Sequence, residues 1–202
     1  LQARCSAALD KALIPAVEYL AKFATYEEYV TFDEEAFRAK YEADERPIAE
    51  MVPEVKHHLK LAREMEEVIP HRMFLGLFSV SCMAVRKVLV ERHRSLAAII
   101  IKRMSSAPMA TSKQIMASFG DIMRNLNKPM NTIEDVAEIE EYVNNLGSEL
   151  DDLRQQLQAM VQEQEVIDQF EVLMSDTDFK VFYATLAMPR RVDEQIAVVH
   201  AK

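Results

Sequence analysis

Apolar residues recur every three or four positions along most of the chain, which is the spacing of one face of an α-helix. In residues 2–24 the repeat runs through Leu9, Leu13, Val17 and Leu20. Pro15 interrupts this segment and should kink or restart a helix, because proline lacks an amide donor. The pattern predicts one helix, or two short ones, at the start of the chain.

Capping residues and prolines divide the next part of the chain. Thr31 and Glu34 resemble a capping box, so a second helix should begin near Phe32. Pro47 and Pro53 should break it. A further amphipathic helix is then predicted as far as Pro70, with apolar positions at Val55, Leu59, Ala62, Met65 and Ile69.

The segment 73–104 is apolar on more than one face, as expected for the most buried helix of a bundle. A Ser/Ala/Pro stretch at residues 105–108 should end it. Another helix then follows and should stop near Pro129. Its apolar positions are Ile115, Phe119, Ile122, Met123 and Leu126.

The strongest periodicity follows Thr132, which should cap the next helix. Apolar residues then repeat in steps of three and four over about four heptads, from Ile139 to Ile167. A helix unbroken over residues 133–173 would be roughly 60 Å long. The spacing suits an intermolecular coiled coil or an antiparallel bundle within one chain, and the neighbouring amphipathic helices favour the bundle.

Composition agrees with helices. The 202 residues are 50% hydrophobic and include 3 glycines and no Trp. We therefore predict an all-α fold, an elongated multi-helix bundle with one long heptad-patterned helix. The apolar-rich stretch 73–90 is interrupted by Ser79, Ser81, Arg86 and Lys87, so it falls short of a membrane span.

The net charge, the two cysteines and the ends of the sequence indicate the partners, the compartment and the kind of polypeptide to expect. The net charge of −9 should repel nucleic acid and anionic membranes. Cys5 and Cys82 are far apart in the sequence, so we expect free thiols and a reducing compartment. The chain begins at Leu1 without an initiator Met or a signal-peptide pattern and ends at Lys202, so we expect an excerpt of a longer polypeptide.

The motifs of common active sites are missing from the sequence. The three isolated glycines cannot form a phosphate-binding loop, so no nucleotide cofactor is expected. His57 and His58 point about 100° apart on a helix and lack a ligand four residues on, so no metal is expected. Cys82 lies in an apolar stretch that suits a buried thiol better than a nucleophile. We predict no catalytic, cofactor-binding or metal-binding residues and no small-molecule ligand.

One charge feature stands out. Six basic residues occur within eighteen positions that hold a single acid, Glu91; they are Arg86, Lys87, Arg92, Arg94, Lys102 and Arg103. They could dock an acidic surface of another molecule. An acidic run at 134–152 could instead neutralise them by helix packing, and this second interpretation is the favoured one.

Several stretches, in their order and spacing, resemble the tail of a dynein heavy chain just before the linker. They are residues 69–82, 86–89 and 96–97, then 115–126 with 128–129, 132–135 leading into a long helix, and 170–179 through to 188–191. The resemblance covers roughly residues 53–202 and is closer to axonemal than to cytoplasmic heavy chains. Residues 83–85 and 104–109 depart from the family pattern.

The resemblance implies a helical tail segment at 1–52 and a bundle at 53–202 leading into the linker. Such a tail connects an ATPase motor, whose nucleotide sites lie outside this chain, to an anchored base in the cytoskeleton of a cilium or flagellum. The implied partners are dynein intermediate and light chains, a neighbouring heavy chain or docking proteins, with no nucleic acid and no membrane.

Two functions follow as hypotheses. The first is a non-catalytic element that transmits force and supports assembly between motor and anchor through its packed core. The core residues expected to do so are Leu75, Leu77, Phe78, Cys82, Leu89, Leu150, Leu153, Leu157 and Phe179. The alternative is a stand-alone coiled-coil adaptor or tether, which would self-associate where the bundle would be an elongated monomer.

Overall fold

Helices form most of the backbone in the computed structural model, which describes residues 2–76 and 78–201 and, within 2–7, the backbone alone. The predicted core residue Leu77 and the side chain of Cys5 therefore lie outside the described residues. The elements in chain order are α1 (Gln2–Ala21), a 3-10 turn (Ala24–Tyr26), α2 (Glu27–Val30), α3 (Glu34–Glu42), α4 (Ile48–Val68), β1 (Arg72–Leu75), β2 (Phe78–Ser81), α5 (Met83–Leu126), α6 (Ile133–Asn145), α7 (Gly147–Asp168), α8 (Asp176–Leu186) and α9 (Met188–His200). The all-α prediction is confirmed.

The chain divides into two compact units, Leu1–Arg103 and Met104–Lys202. This division differs from the predicted boundary between residues 52 and 53. The physical reason is that the segment before residue 53 is held to α5 by polar contacts. Arg92 on α5 forms an ion pair of 2.9 Å with Glu34, and Arg103 Nε donates to the Asp44 carbonyl at 2.9 Å.

A β-hairpin replaces the predicted start of the helix at residue 73. β1 and β2 pair antiparallel, with Met73 opposite Val80 and Leu75 opposite Phe78. The side chains alternate between half-buried and exposed, which is the period of a strand. Gly76 has φ of 61° in the connection, a conformation that costs glycine little. Helix begins only at Met83.

The longest helix passes through the predicted break at 105–108. α5 is 44 residues long and contains Pro108 within it. A proline inside a helix costs about 3 kcal/mol. Met104 and Ile115 on either side of it are fully buried, and burying such a side chain contributes roughly 1.5–3 kcal/mol. Apolar burial therefore offsets the proline, and α4 likewise continues through Pro53, where a break was predicted.

The predicted single helix over 133–173 is two helices. The Leu146 amide bonds the Val143 carbonyl at 3.2 Å, a tighter turn than α-helix, and α7 starts at Gly147 and ends at Asp168. Leu146, the residue between the two helices, is 2% exposed, so the chain is buried at the point where the helix is interrupted. The heptad positions of α7 face the core of their own unit, as predicted for a bundle, with Leu150, Leu153 and Met160 all buried there.

Helix caps show how local chemistry sets the starts of two helices. Thr132 caps α6 as predicted, and the Asp135 side chain completes a capping box by accepting from the Thr132 amide at 2.8 Å. The helix predicted to begin near Phe32 begins at Glu34. Its cap is Asp33, which accepts from the Glu35 and Ala36 amides, while the Thr31 hydroxyl donates to the Glu27 carbonyl.

Thr132→Ala should destabilise the protein by about 1 kcal/mol, because the Asp135 amide loses its acceptor. Urea denaturation of the two proteins measures the difference. Thr177→Ala, the same change at an exposed position in the first turn of α8, should have a smaller effect. Equal effects of the two substitutions would contradict the capping role of Thr132.

Candidate functional site

The first unit has a core formed by α4, α5 and the residue that joins β2 to α5. Its buried members are Ala62, Met65, Ile69, Cys82, Leu89 and Val90. Met73 and Val80 of the hairpin and four tyrosine or phenylalanine rings from residues 19–29 pack against it. Of the residues expected in the core, Cys82 is 4% exposed and Leu89 is fully buried, whereas Leu75 and Phe78 are half-buried. The core therefore unites the hairpin with both helices.

An apolar groove of about 750 Å³ opens beside this core, between α1 and the hairpin. Leu20, Phe23, Leu75 and Cys82 are among the residues that line it. The Cys82 thiol lies 3.7 Å from the Tyr19 hydroxyl, and burial together with this neighbour raises the pKa of Tyr19. The groove can accept an apolar group, and sequence reasoning missed it because the helical pattern concealed the hairpin.

A polar cluster joins α3, the following loop and α4. Arg46 pairs with Asp44 at 2.7 Å and with Glu54 at 2.9 Å, and these contacts lower the pKa of both carboxyl groups. Tyr41 donates to Glu54, and burial followed by this hydrogen bond raises the pKa of Tyr41 to about 12. The cluster fixes the loop 43–47 on α4.

Several basic residues of α5 contact residues of the first unit. Arg92 pairs with Glu34, and Arg94 pairs with Glu66 at 2.9 Å. Lys87 lies 3.8 Å from Glu91 on the same helix. Arg86 Nη2 donates to the Glu66 carbonyl at 2.7 Å. Acids of α3 and α4 therefore pair with part of the basic cluster, and its neutralisation by the acidic run at 134–152 stays a prediction.

Two histidines meet at the interface of α4 and α5. Nδ1 of His58 lies 3.1 Å from Nδ1 of His93, and the Tyr29 ring lies 4.4 Å from the His93 ring. His93 is fully buried, and its Nε2 has no hydrogen-bond partner. Burial, reinforced by the charges of His58 and His57, lowers the pKa of His93 to about 4. Burial also lowers the pKa of His58. One of the two facing Nδ1 atoms donates and the other accepts, so the contact requires at least one neutral ring.

The second unit packs the latter half of α5 against α7, α8 and α9. Leu150 and Leu153 are buried there, and Leu157 is half-buried against the same cluster. Phe179 was expected in the core but is 52% exposed, because α8 turns Phe182 and Thr185 inward. The Thr185 hydroxyl lies 3.0 Å from the buried Ser112 hydroxyl, a pairing that sequence patterns did not indicate.

These arrangements are structural contacts. Over residues 8–76 and 78–201, whose side chains are described, no three His, Cys, Asp or Glu side chains come together in a way that could hold a metal ion. No helix within the same residues is sufficiently long and apolar to cross a membrane. What the described geometry offers chemically is two packed cores, paired charges and apolar surfaces for contact.

The chain is similar over nearly its whole length to heavy chains of axonemal dyneins. Dynein axonemal heavy chain 1 of Homo sapiens is 23% identical over 199 residues, and that of Mus musculus is 25% identical over 200 residues. These matches cover 98% of this chain but span only 5% of the length of each curated relative. No protein-family model matches the chain. The chain thus resembles a short segment of a dynein heavy chain.

Leu89→Ala should lower the free energy of unfolding by about 2–5 kcal/mol, because it leaves a cavity where a fully buried side chain packed. The neighbouring Val88 is 44% exposed, so Val88→Ala should change stability by no more than about 0.5 kcal/mol. Chemical denaturation followed by circular dichroism compares the two variants. Similar losses in both would show that Leu89 is not a core residue.

Stability should fall on acidification because His93 resists protonation in the folded protein. A histidine in the unfolded chain has a pKa of about 6.5. Since folding lowers the pKa of His93 to about 4, protons favour the unfolded chain as the pH falls from about 6.5 towards 4. His93→Phe should reduce the drop in the urea midpoint between about pH 7.5 and pH 5.

His200→Asn, at an exposed position on α9, provides the matched control and should retain the full acid-induced drop. If His93→Phe also retains it, the buried His93 is not the source of the pH dependence.

Proposed function

We propose that the chain is a non-catalytic segment of a dynein heavy-chain tail that transmits force and supports assembly between the motor and its anchored base. The observation that carries this proposal is the similarity to axonemal dynein heavy chains along 98% of the chain. The proposed position in the tail, just before the linker, is supported by the resemblance of the motifs in residues 69–82 and 170–191.

The architecture suits a mechanical role. Force passes through a protein without loss of structure when its elements share well-packed cores and paired charges. Each unit has such a core, and α5 contributes the fully buried Leu89 and Leu96 to the first and Ile115 and Phe119 to the second. Arg92 and Arg46 add ion pairs in the first unit.

The exposed surfaces suit an assembly role. α1 presents Leu9, Val17 and Leu20 to solvent, each more than half exposed, beside the apolar groove that it forms with the hairpin. Contiguous exposed apolar side chains are typical of surfaces that contact other proteins. Intermediate chains, light chains, a neighbouring heavy chain or docking proteins of an axoneme are the partners that this function would place there.

The competing function, a coiled-coil adaptor that binds through its heptad seam, has less support. Its seam residues Leu150, Leu153 and Met160 are 6%, 5% and 1% exposed. A seam that is buried within its own unit is not free to pair with another chain.

Core substitutions in the parent heavy chain test the proposal. Leu89→Ala combined with Phe119→Ala removes a fully buried side chain from each unit. Expressed from the parent locus in ciliated cells, this variant should lose most of its incorporation into isolated axonemes, measured by quantitative mass spectrometry. The exposed Val88→Ala should incorporate normally.

Normal incorporation of the double variant, with unfolding of the segment verified by its protease sensitivity, would refute a structural role. Accumulation of the parent protein in a compartment without axonemes would refute the axonemal assignment.

A further inference from the structure

A second groove lies in the second unit, between the end of α7 and α8. Two adjacent cavities of about 350 Å³ and about 100 Å³ share Gln164 and Met174 in their walls. Val161, Phe182 and Leu186 line the larger one. We call the pair the α7/α8 groove. Its apolar floor continues into the core, because Phe182 is 4% exposed.

Large apolar side chains stand exposed at the mouth of the α7/α8 groove. Phe179 and Tyr183 are 52% and 53% exposed, and their ring centroids lie 4.4 Å apart. Leu173, which lines the smaller cavity, is 93% exposed. Aromatic side chains beside a cavity and fixed on a packed core are typical of the residues that dominate binding energy in interfaces.

The rim of the α7/α8 groove is acidic. Glu165 and Asp168 line the larger cavity and Asp178 the smaller one, and no Lys or Arg of the described residues lines either. Gln164 Nε2 donates to Asp168 at 2.8 Å, and the Ser175 hydroxyl donates to Asp178 at 2.8 Å. These two carboxylates are therefore held in place beside an apolar floor.

The net charge of the surrounding unit is also negative. Acidic and basic residues are equal in number in residues 1–103, so residues 104–202 carry the whole net charge of −9. A groove with that surrounding field attracts cationic partners and repels anionic ones. A second copy of the same surface would be repelled, as would nucleic acid.

We propose that the α7/α8 groove docks a cationic amphipathic helix of a partner protein. Its apolar face packs on the exposed rings of Phe179 and Tyr183, and its Lys or Arg side chains lie opposite Glu165, Asp168 and Asp178. A helix satisfies its own backbone hydrogen bonds, and the described part of residues 104–202 offers no strand edge to an extended peptide. This surface would bind such a helix whether or not the chain functions in a dynein.

Calorimetric titration of the complete chain with a synthetic helix of about 18 residues tests the proposal. The probe has Leu at helical spacing and Lys elsewhere, and its matched control has Glu in place of Lys. The Lys peptide should bind and the Glu peptide should not. Phe179→Ala should weaken binding of the Lys peptide by about tenfold. Glu165→Gln should weaken it by roughly threefold.

Glu138→Gln is the matched control within the protein, since Glu138 is an exposed acid of α6 outside the groove. It should leave the affinity within about twofold of the parent value. Circular dichroism verifies folding, and Tyr183→Ser replaces Phe179→Ala should the latter unfold.

Three results would overturn the proposal. Equal losses for Glu138→Gln and Glu165→Gln would reduce the binding to diffuse attraction. Equal binding of the Lys and Glu peptides would show that the acidic rim does not select a cationic partner. Sedimentation showing a dimer that Phe179→Ala dissociates would assign the groove to a second copy of this chain.

Discussion

Burial of apolar side chains on α5 is the interaction on which both units depend. In the first unit Leu89 and Leu96 of this helix are fully buried, and in the second Ile115 and Phe119 are. Each such side chain contributes roughly 1.5–3 kcal/mol by leaving water. That gain explains how the helix tolerates Pro108, which would end a solvent-exposed helix. The caps, hairpin and ion pairs then position the remaining elements against this helix.

Polar contacts within the first unit fix how α3 and the loop after it lie against α4 and α5. Glu34 accepts hydrogen bonds from Arg92 and from the Ser95 hydroxyl, each at 2.9 Å. Arg46 forms ion pairs with both Asp44 and Glu54. The histidine pair adds a contact between α4 and α5 that needs at least one neutral ring. Exposed ion pairs contribute little to stability one at a time, so their role here is chiefly to select the arrangement of α3 and its loop. Apolar burial supplies the energy.

Periodicity predicted the elements that depend on local signals and missed those that depend on distant ones. The helices around Leu59 and Leu153 and the cap at Thr132 were all readable from spacing and residue type. The hairpin was missed because Met73 and Val80 fit a helical repeat as well as a strand. Breaks were predicted at Pro108 and near Pro53, but both prolines lie inside helices. The apolar burial that offsets a proline depends on tertiary packing, which the local sequence does not reveal. Phe179 was placed in the core because its neighbour Phe182, three positions on, was not recognised as the inward residue.

The surfaces were harder to predict than the helices. Neither the α1 groove nor the histidine pair has a sequence motif, since each joins residues that are distant along the chain. Reading the parent messenger RNA downstream of the codon for Lys202 tests the central claim most directly. We expect a linker followed by several ATPase modules with phosphate-binding loops. A stop codon soon after Lys202 would contradict it.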